Sequence, residues 1–219
     1  PRTGEWAAEL AELQYRRAQA MSLGGPKAVD FQHSRGKQTV RERIDQLLDP
    51  GSFREMGTLA GKGVYDTEAR LQSFSPSNAV IGTGRVAGRK IVVSGDDFTI
   101  RGGSSESTVS DKWVYAERLA HEYAMPLVRL VDTAGGSIKL LEQQQSTKIP
   151  GYPRWPSISL LGRVPVVGMA LGACAGLGAI KVGFSHFSVI TKDTGFVFAG
   201  GPPVVKQGLG QDVTKEELG

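Results

Sequence analysis

The sequence predicts an α/β fold in which short strands open into helices, preceded by a helical arm. Three passages carry the prediction, because in each an apolar run delivers small residues to the start of a helical pattern. In the middle passage Pro126, Leu127, Val128, Leu130 and Val131 read as a buried strand ending at Asp132. Thr133, Ala134, Gly135 and Gly136 follow, and Ser137, Ile138, Leu140, Leu141 and Glu142 open a helix. Upstream, Ile91 to Val93 leads through Asp96, Asp97, Phe98, Thr99 and Ile100 to Gly102, Gly103, Ser104 and Ser105. Val109, Trp113, Ala116, Ala120 and Tyr123 then recur along one helical face. Downstream, the strand Val164 to Ala170 runs into Gly172, Ala173, Cys174, Ala175, Gly176, Leu177 and Gly178.

The remaining elements follow in chain order. Trp6, Leu10 and Leu13 share a face of a first helix suited to docking, which Gly24, Gly25 and Pro26 close. Thr39 with Glu42 three residues on forms a capping box. Val40, Ile44, Leu47 and Leu48 give that helix its buried stripe, and Asp49, Pro50 and Gly51 stop it. Residues 1–52 thus read as a helical arm and 53–219 as the domain. The segment from Gly57 to Asn78 is rich in Gly, Ser and Thr and reads as an irregular connection. Ala79 to Arg85 and Lys90 to Ser94 form a hairpin that turns near Ala87 and Gly88.

Composition narrows the class. A chain of 219 residues, 40% hydrophobic, buries one substantial core or one core with a helical extension. Its longest apolar stretch, Val164 to Ile180, is broken by alanines and glycines, so no membrane span is expected. Pro1 carries no signal-peptide pattern and suggests that the true start is missing. Cys174 is the single cysteine, which excludes a disulfide framework and a four-cysteine zinc ribbon. The setting expected is intracellular, cytoplasmic or the mitochondrial matrix. Lys and Arg number 26 against 22 Asp and Glu, dispersed and without a nucleic-acid motif. Arg85, Arg89, Lys90 and Arg101 cluster in sequence near the first strand and its glycine turn, where coenzyme phosphates could be met. A solvated basic edge accounts for the same four residues.

The glycine turn after Asp132 carries the chemistry. Paired glycines where a strand opens into a helix leave backbone N–H groups uncovered, able to converge on an oxygen that gains negative charge. A plain tight connection would look the same. Three such turns together read as the rim of an active site, although close packing alone explains any one of them.

The ordered segments QHSRGKQTVRERIDQLLDPGSF, GTGRVAGRKIVVSGDDFTIRGGS, LVDTAGGS, VPVVGMALGACAGLGA, TKDTGFVFAGGPPVVK and DVTKEELG resemble the carboxyltransferase (beta) subunit of biotin-dependent acyl-CoA carboxylases, the propionyl-CoA and methylcrotonyl-CoA carboxylase group. The resemblance spans roughly residues 24–219. It implies a crotonase-like (Clp protease/crotonase) ββα spiral, here the N-terminal of two such domains, with the C-terminal carboxyltransferase domain absent and half of the usual site with it. It also implies carboxylate transfer from carboxybiotin, borne by a biotin carboxylase/biotin carboxyl carrier partner, to the alpha carbon of an acyl-CoA. The enolate oxygen would be held by the N–H groups of Gly135 and Gly136. In the family biotin releases carbon dioxide and takes the proton, so no side-chain base and no metal are needed. Gly102, Gly103 and Ser104 would border the coenzyme A thioester, as would the GPCAGG-like turn Ala173, Cys174, Ala175 and Gly176. A homo-oligomer, a hexamer in the family, is implied as well.

Departures from the family pattern bear on selectivity. DTAGGS stands where many relatives read DSGGAR, and Arg101 stands where a bulky apolar residue is common. Cys174 reads as a packing residue rather than a nucleophile, since no histidine lies near it in sequence. His33, His121 and His186 show no ligand spacing. A Clp-type serine peptidase shares the strand-GG-S passage, yet Gly172 to Ala179 contains no serine. A biotin-dependent acyl-CoA decarboxylase subunit and a non-catalytic coenzyme A-binding or assembly domain remain open on sequence.

Overall fold

Local chemistry starts most of the elements. A computed structural model of the chain describes residues 6–104, 109, 111–137, 145 and 157–219. Helix α1 (Ala7–Met21) is followed by α2 (Pro26–Ser34), whose N-cap Gly25 has φ 88° and whose first residue is Pro26. Helix α3 (Val40–Leu47) begins at the expected capping box: the Thr39 hydroxyl accepts from Glu42 N–H, and the Glu42 carboxylate accepts from Thr39 N–H at 2.7 Å. His33 at 3.0 Å, the largest influence, and the Thr39 contacts hold the Glu42 carboxyl below its usual range.

Seven strands form the main sheet. β1 (Arg54–Met56), β4 (Ala79–Val86) and β5 (Arg89–Asp96) pair antiparallel, then β6 (Leu127–Thr133), β7 (Val166–Ala175) and β8 (Phe187–Ile190) continue in parallel. β9 (Phe196–Phe198) pairs with the far end of β7, also in parallel. The β4–β5 hairpin turns where expected, with positive φ at both Ala87 and Gly88, as a two-residue turn of that hand requires. The Asp49 carboxylate accepts from both of their N–H groups, at 2.9 and 2.8 Å.

The sheet is covered on both faces. Val40, Ile44 and Leu48 pack on Val80, Ile91, Val93, Val128 and Leu130. On the opposite face helix α4 (Lys112–Glu122) lays Ala116, Leu119 and Ala120 against Ile81, Val92, Leu127 and Val166, with Leu160 of helix α5 (Ser157–Leu161) beside them. Helix α6 (Leu177–Gly183) packs Val182 on Val131, Ala170 and Cys174. Helices α7 (Pro202–Leu209) and α8 (Lys215–Leu218) complete the chain.

Three expectations change. Residues 57–78 are not irregular: β2 (Gly61–Tyr65) and β3 (Leu71–Pro76) form a separate two-stranded antiparallel sheet. Asp66 closes it, its Oδ1 accepting from Glu68 N–H and Arg70 N–H, while Phe74 is buried beneath Arg16 of α1. β7 runs through the expected turn at 172–175 and ends only at Ala175. The helical face read from Val109 to Tyr123 holds for Trp113, Ala116 and Ala120, but Tyr123 lies past the helix and is exposed. Trp6, the N-cap residue of α1, and Leu10 on that helix are largely exposed. The helix expected from Ser137 to Glu142 lies, beyond Ser137, outside the described residues. Among the described residues no helix is long and apolar enough to cross a membrane.

Replacing Thr39 with Ala removes an N-cap whose carboxylate partner then loses its hydroxyl contact. A loss of about 1 kcal/mol is expected, read from the urea midpoint at unchanged slope.

Candidate active site

The three small-residue turns meet at the carboxyl ends of β5, β6 and β7, where open parallel sheets place their ligands. Residues 101–103 form a short 3-10 turn with positive φ at Arg101, Gly102 and Gly103. Gly102 O accepts from Ala134 N–H at 2.8 Å, and Gly103 O accepts from the Thr133 hydroxyl at 2.7 Å. A Cβ on Gly103 would stand 2.6 Å from Asp132 O. Gly135, at φ 80°, abuts the third turn: its Cβ would meet Ala175 O at 2.8 Å. Thr133 pairs with Cys174 in the sheet, so β7 carries Ala173 to Gly176 alongside the Gly135 turn.

The two expected donors differ. Gly135 is buried and donates its N–H to Thr133 Oγ1 at 3.1 Å. Gly136 is exposed, a Cβ built there meets nothing within 4 Å, and its N–H has no partner among the described residues. Ser104 is buried and its carbonyl accepts from Asn78 Nδ2 at 2.8 Å. Ala173 lines a cleft. Cys174 is fully buried, its Sγ against Val131 O and Gly172 O, and burial pushes the thiol up to about 12. Gly176, at φ 56°, donates to Phe198 O.

Beneath the turns lies an ion cluster the sequence reading missed. The Asp132 carboxylate, 0% exposed, accepts from Lys37 Nζ and Arg43 Nη2, each at 2.9 Å, and from Gln32 Nε2 at 3.0 Å. Its partners lie 89 to 100 positions away in the chain, which explains why no local pattern announces it. Burial holds the Lys37 amine below its usual value despite Asp132, and the nearby charges of Arg43 and Lys215 press the same way. Gly172 sits at an irregularity in the β6–β7 register, between the pairs Val131 with Ala170 and Thr133 with Cys174. A Cβ there would lie 2.0 Å from Asp132 Oδ1, so the carboxylate occupies the space a side chain would need.

Next to Ala173 opens a cleft of ≈ 290 Å³ lined by Phe31, Arg35, Lys37, Phe98, Phe196 and Lys215, together with Asp193 and Thr194. Each cation rests over a ring: Arg35 over Phe31 at 4.6 Å, Lys37 over Phe98 at 4.3 Å and Lys215 over Phe196 at 4.5 Å. Aromatic walls bearing cations suit an anionic ligand with a flat or apolar portion. The cluster expected from Arg85, Arg89, Lys90 and Arg101 does not form. The first three flank the hairpin turn, while Arg101 follows the opposite end of β5, about 25 Å away along an extended strand.

Two of the three histidines are occupied otherwise. His33 meets Glu42, and His186 accepts from Val166 N–H at Nδ1 while Nε2 faces Leu161 O at 3.0 Å. Among the described residues there is no group of three or more His, Cys, Asp or Glu side chains placed to hold a metal.

A family model described as "Carboxyl transferase domain" matches residues 31–219. The chain belongs to the carboxyl transferase family. It is 35% identical over 212 residues to the propionyl-CoA carboxylase beta chain of Roseobacter denitrificans, covering 96% of this chain and 41% of that one. It is 37% identical over 220 residues to the biotin-dependent 3-methylcrotonyl-coenzyme A carboxylase beta1 subunit of Mycobacterium tuberculosis, covering 96% of this chain and 39% of that one. Among solved structures, transcarboxylase 12S superposes with a TM-score of 0.80 at 32% identity, over 100% of this chain and 42% of that one. The fold is therefore crotonase-like, as in that carboxyltransferase structure. The carboxyl transferase chain described here spans about two fifths of the length of these relatives.

Two outcomes test the site's packing. Gly172→Ala cannot be accommodated without moving a carboxylate held by three partners, so a loss of about 3 kcal/mol is expected in urea unfolding. A loss under about 0.5 kcal/mol, within the range of neutral surface changes, would show that Asp132 relocates freely. Iodoacetamide at pH 8 should leave Cys174 unmodified in the folded protein and alkylate it fully in urea, as mass spectrometry would read.

Proposed function

We propose that this chain is the N-terminal part of the carboxyltransferase of a biotin-dependent acyl-CoA carboxylase. The observation that carries the reading is the meeting of the three glycine passages at one end of the sheet, beside a cationic, aromatic cleft, in a chain of the carboxyl transferase family. The relatives it matches are named for propionyl-CoA and methylcrotonyl-CoA, and the transcarboxylase structure is described with methylmalonyl-coenzyme A bound. An acyl-CoA is the common substrate class.

In this reading Gly136 supplies the open N–H to a thioester oxygen that gains charge as the alpha carbon loses its proton. Such a donor acts where charge develops, so it lowers the barrier more than it tightens binding. Gly135 adds a second donor only when Thr133 gives up its N–H. Biotin, carried on a partner, supplies the carboxylate and accepts the substrate proton when it occupies the site. Among the described residues, a methyl group added at Gly136 would touch nothing within 4 Å, which supports an accessible N–H there. The chain's own cleft residues orient the substrate: Arg35 and Lys215 face the phosphates of the coenzyme, and Phe31, Phe98 and Phe196 offer its planar end a wall. Gly102, Gly103, Ser104 and the backbone of Ala173 to Gly176 border the thioester arm. The C-terminal carboxyltransferase domain completes the site, within an oligomer like the hexamer described for transcarboxylase 12S.

The test uses the complete subunit with its biotin-bearing partner. Gly136→Pro deletes this N–H, and turnover is expected to fall about 100-fold while acyl-CoA affinity changes by less than about twofold. Unchanged turnover in a folded variant overturns the assignment of Gly136. Labelling by a fluorophosphonate would point instead to a peptidase, and acyl-CoA binding without any transfer to an assembly domain.

A further inference from the structure

Between α3 and the start of α4 lies a small chamber with a free volume of ≈ 10 Å³, about the space one water molecule needs. Arg41 of α3, Glu55 of β1, Ser77 between β3 and β4, Asp97 after β5 and Lys112 at the start of α4 all line it. Glu55 is taken up by Arg41, whose Nη1 and Nη2 reach its carboxylate at 2.9 and 3.2 Å. Thr58 lines the chamber as well, and three further polar atoms in it are buried without a bond. Arg41 Nε, Ser77 Oγ and Asp97 Oδ2 have no partner among the described residues. The Lys112 side chain, 7% exposed, makes no hydrogen bond among them either. Asp97 and Ser77 are only 1% and 6% exposed.

The chemistry of these four groups selects the ligand. Arg41 Nε and Lys112 Nζ only donate when charged, an ionised Asp97 only accepts, and Ser77 does either. A cation would face Arg41 and Lys112 at close range, and an anion would face Asp97 and Glu55. An apolar filling would leave Arg41 Nε, Ser77 Oγ and Asp97 Oδ2 orphaned, which buried polar groups rarely tolerate. A neutral molecule with two hydrogens and two lone pairs matches the set at the available size. Burial lowers the Lys112 amine to about 8, and it keeps N–H donors in either protonation state.

We propose that this chamber is an internal hydration site, in which one water accepts from Arg41 Nε and Lys112 Nζ and donates to Asp97 Oδ2 and Ser77 Oγ. The site holds the glycine turn in place through Asp97. The other carboxylate oxygen of Asp97 accepts from Thr99 N–H and the Thr99 hydroxyl, and Asp97 O accepts from Ile100 N–H. Ile100 O in turn accepts from Gly103 N–H, and Gly102 O from Ala134 N–H. The water thus links the helical arm, the small sheet, α4 and the turn that braces Ala134. The inference is independent of the reaction assigned to the chain.

A crystal structure of the protein at about 1.8 Å or better should show one ordered water within about 3.2 Å of at least three of the four atoms. Magnetic relaxation dispersion should count one long-lived water fewer in Ser77→Val, whose added methyl groups fill the chamber. Amide exchange at Gly103 and Ala134 should quicken at least tenfold in that variant while amides of β8 keep their rates. A dry chamber, direct bonds among the four side chains, or an equal water count in Ser77→Val would overturn the proposal. Uniform quickening of exchange would overturn the link to the turn. Should Ser77→Val not fold, the crystal structure of the unmodified protein decides the matter.

Discussion

A carboxylate shut away from water beneath the glycine turns governs the geometry around it. The carboxylate of Asp132, buried there without partners, would cost several kcal/mol. Lys37, Arg43 and Gln32 together make its burial tolerable, and in doing so they bind α2 and α3 to the end of β6. Residues that read as an arm in sequence thereby belong to the interior of the site. The same carboxylate demands a glycine at 172 and lies beside the register irregularity of β7, whose Leu171 carbonyl Arg43 also meets. Thr133, Ala134, Gly135 and Gly136 leave the strand one residue later, so their direction follows from how Asp132 is held.

Two further buried pairs brace the opposite face. Arg129 joins Glu117 of α4 at 2.7 Å, and Ser157 of α5 bonds both partners. Lys181 of α6 reaches Asp96 at the end of β5 at 2.9 Å and lies over the Trp113 ring. Removing one member of such a pair leaves a stranded charge, so these contacts bind each helix to a definite strand end even where their net stabilisation is small. The consequence is a preorganised rim. The Gly135 turn is held where β6 and β7 pair, with Ala175 O against Gly135 and the Thr133 hydroxyl accepting from its N–H.

Much of this was legible from short-range chemistry. The Thr39 and Glu42 box, the Ala87 and Gly88 turn and the strands leading into the glycines at 102–103 and 135–136 depend on residues within a few positions of one another, and each is present. Residues 57–78 were misread because their strands pair with each other, expose most of their side chains and show little alternation, leaving composition as the only signal. The end of β7 was misplaced because small residues signal a turn, whereas here they let β7 run close past Asp132 and Thr133. Arg101 was grouped with Arg85, Arg89 and Lys90 by nearness in sequence, which an extended strand converts into separation. His186 and Cys174 behave as packing and backbone-satisfying groups.

The order of the motifs was enough to determine the family, the α/β class and the residues of the glycine turns, because those properties reside in local backbone requirements. Which N–H is open was decided by the tertiary structure. Gly135 and Gly136 are identical in sequence, and only the approach of Thr133 and Ala175 distinguishes the buried, bonded amide from the exposed one. Tertiary structure likewise assembled the Asp132 cluster and the cleft of Arg35, Lys37 and Lys215. Charges attract through space, and a chain records only which residues are neighbours along it.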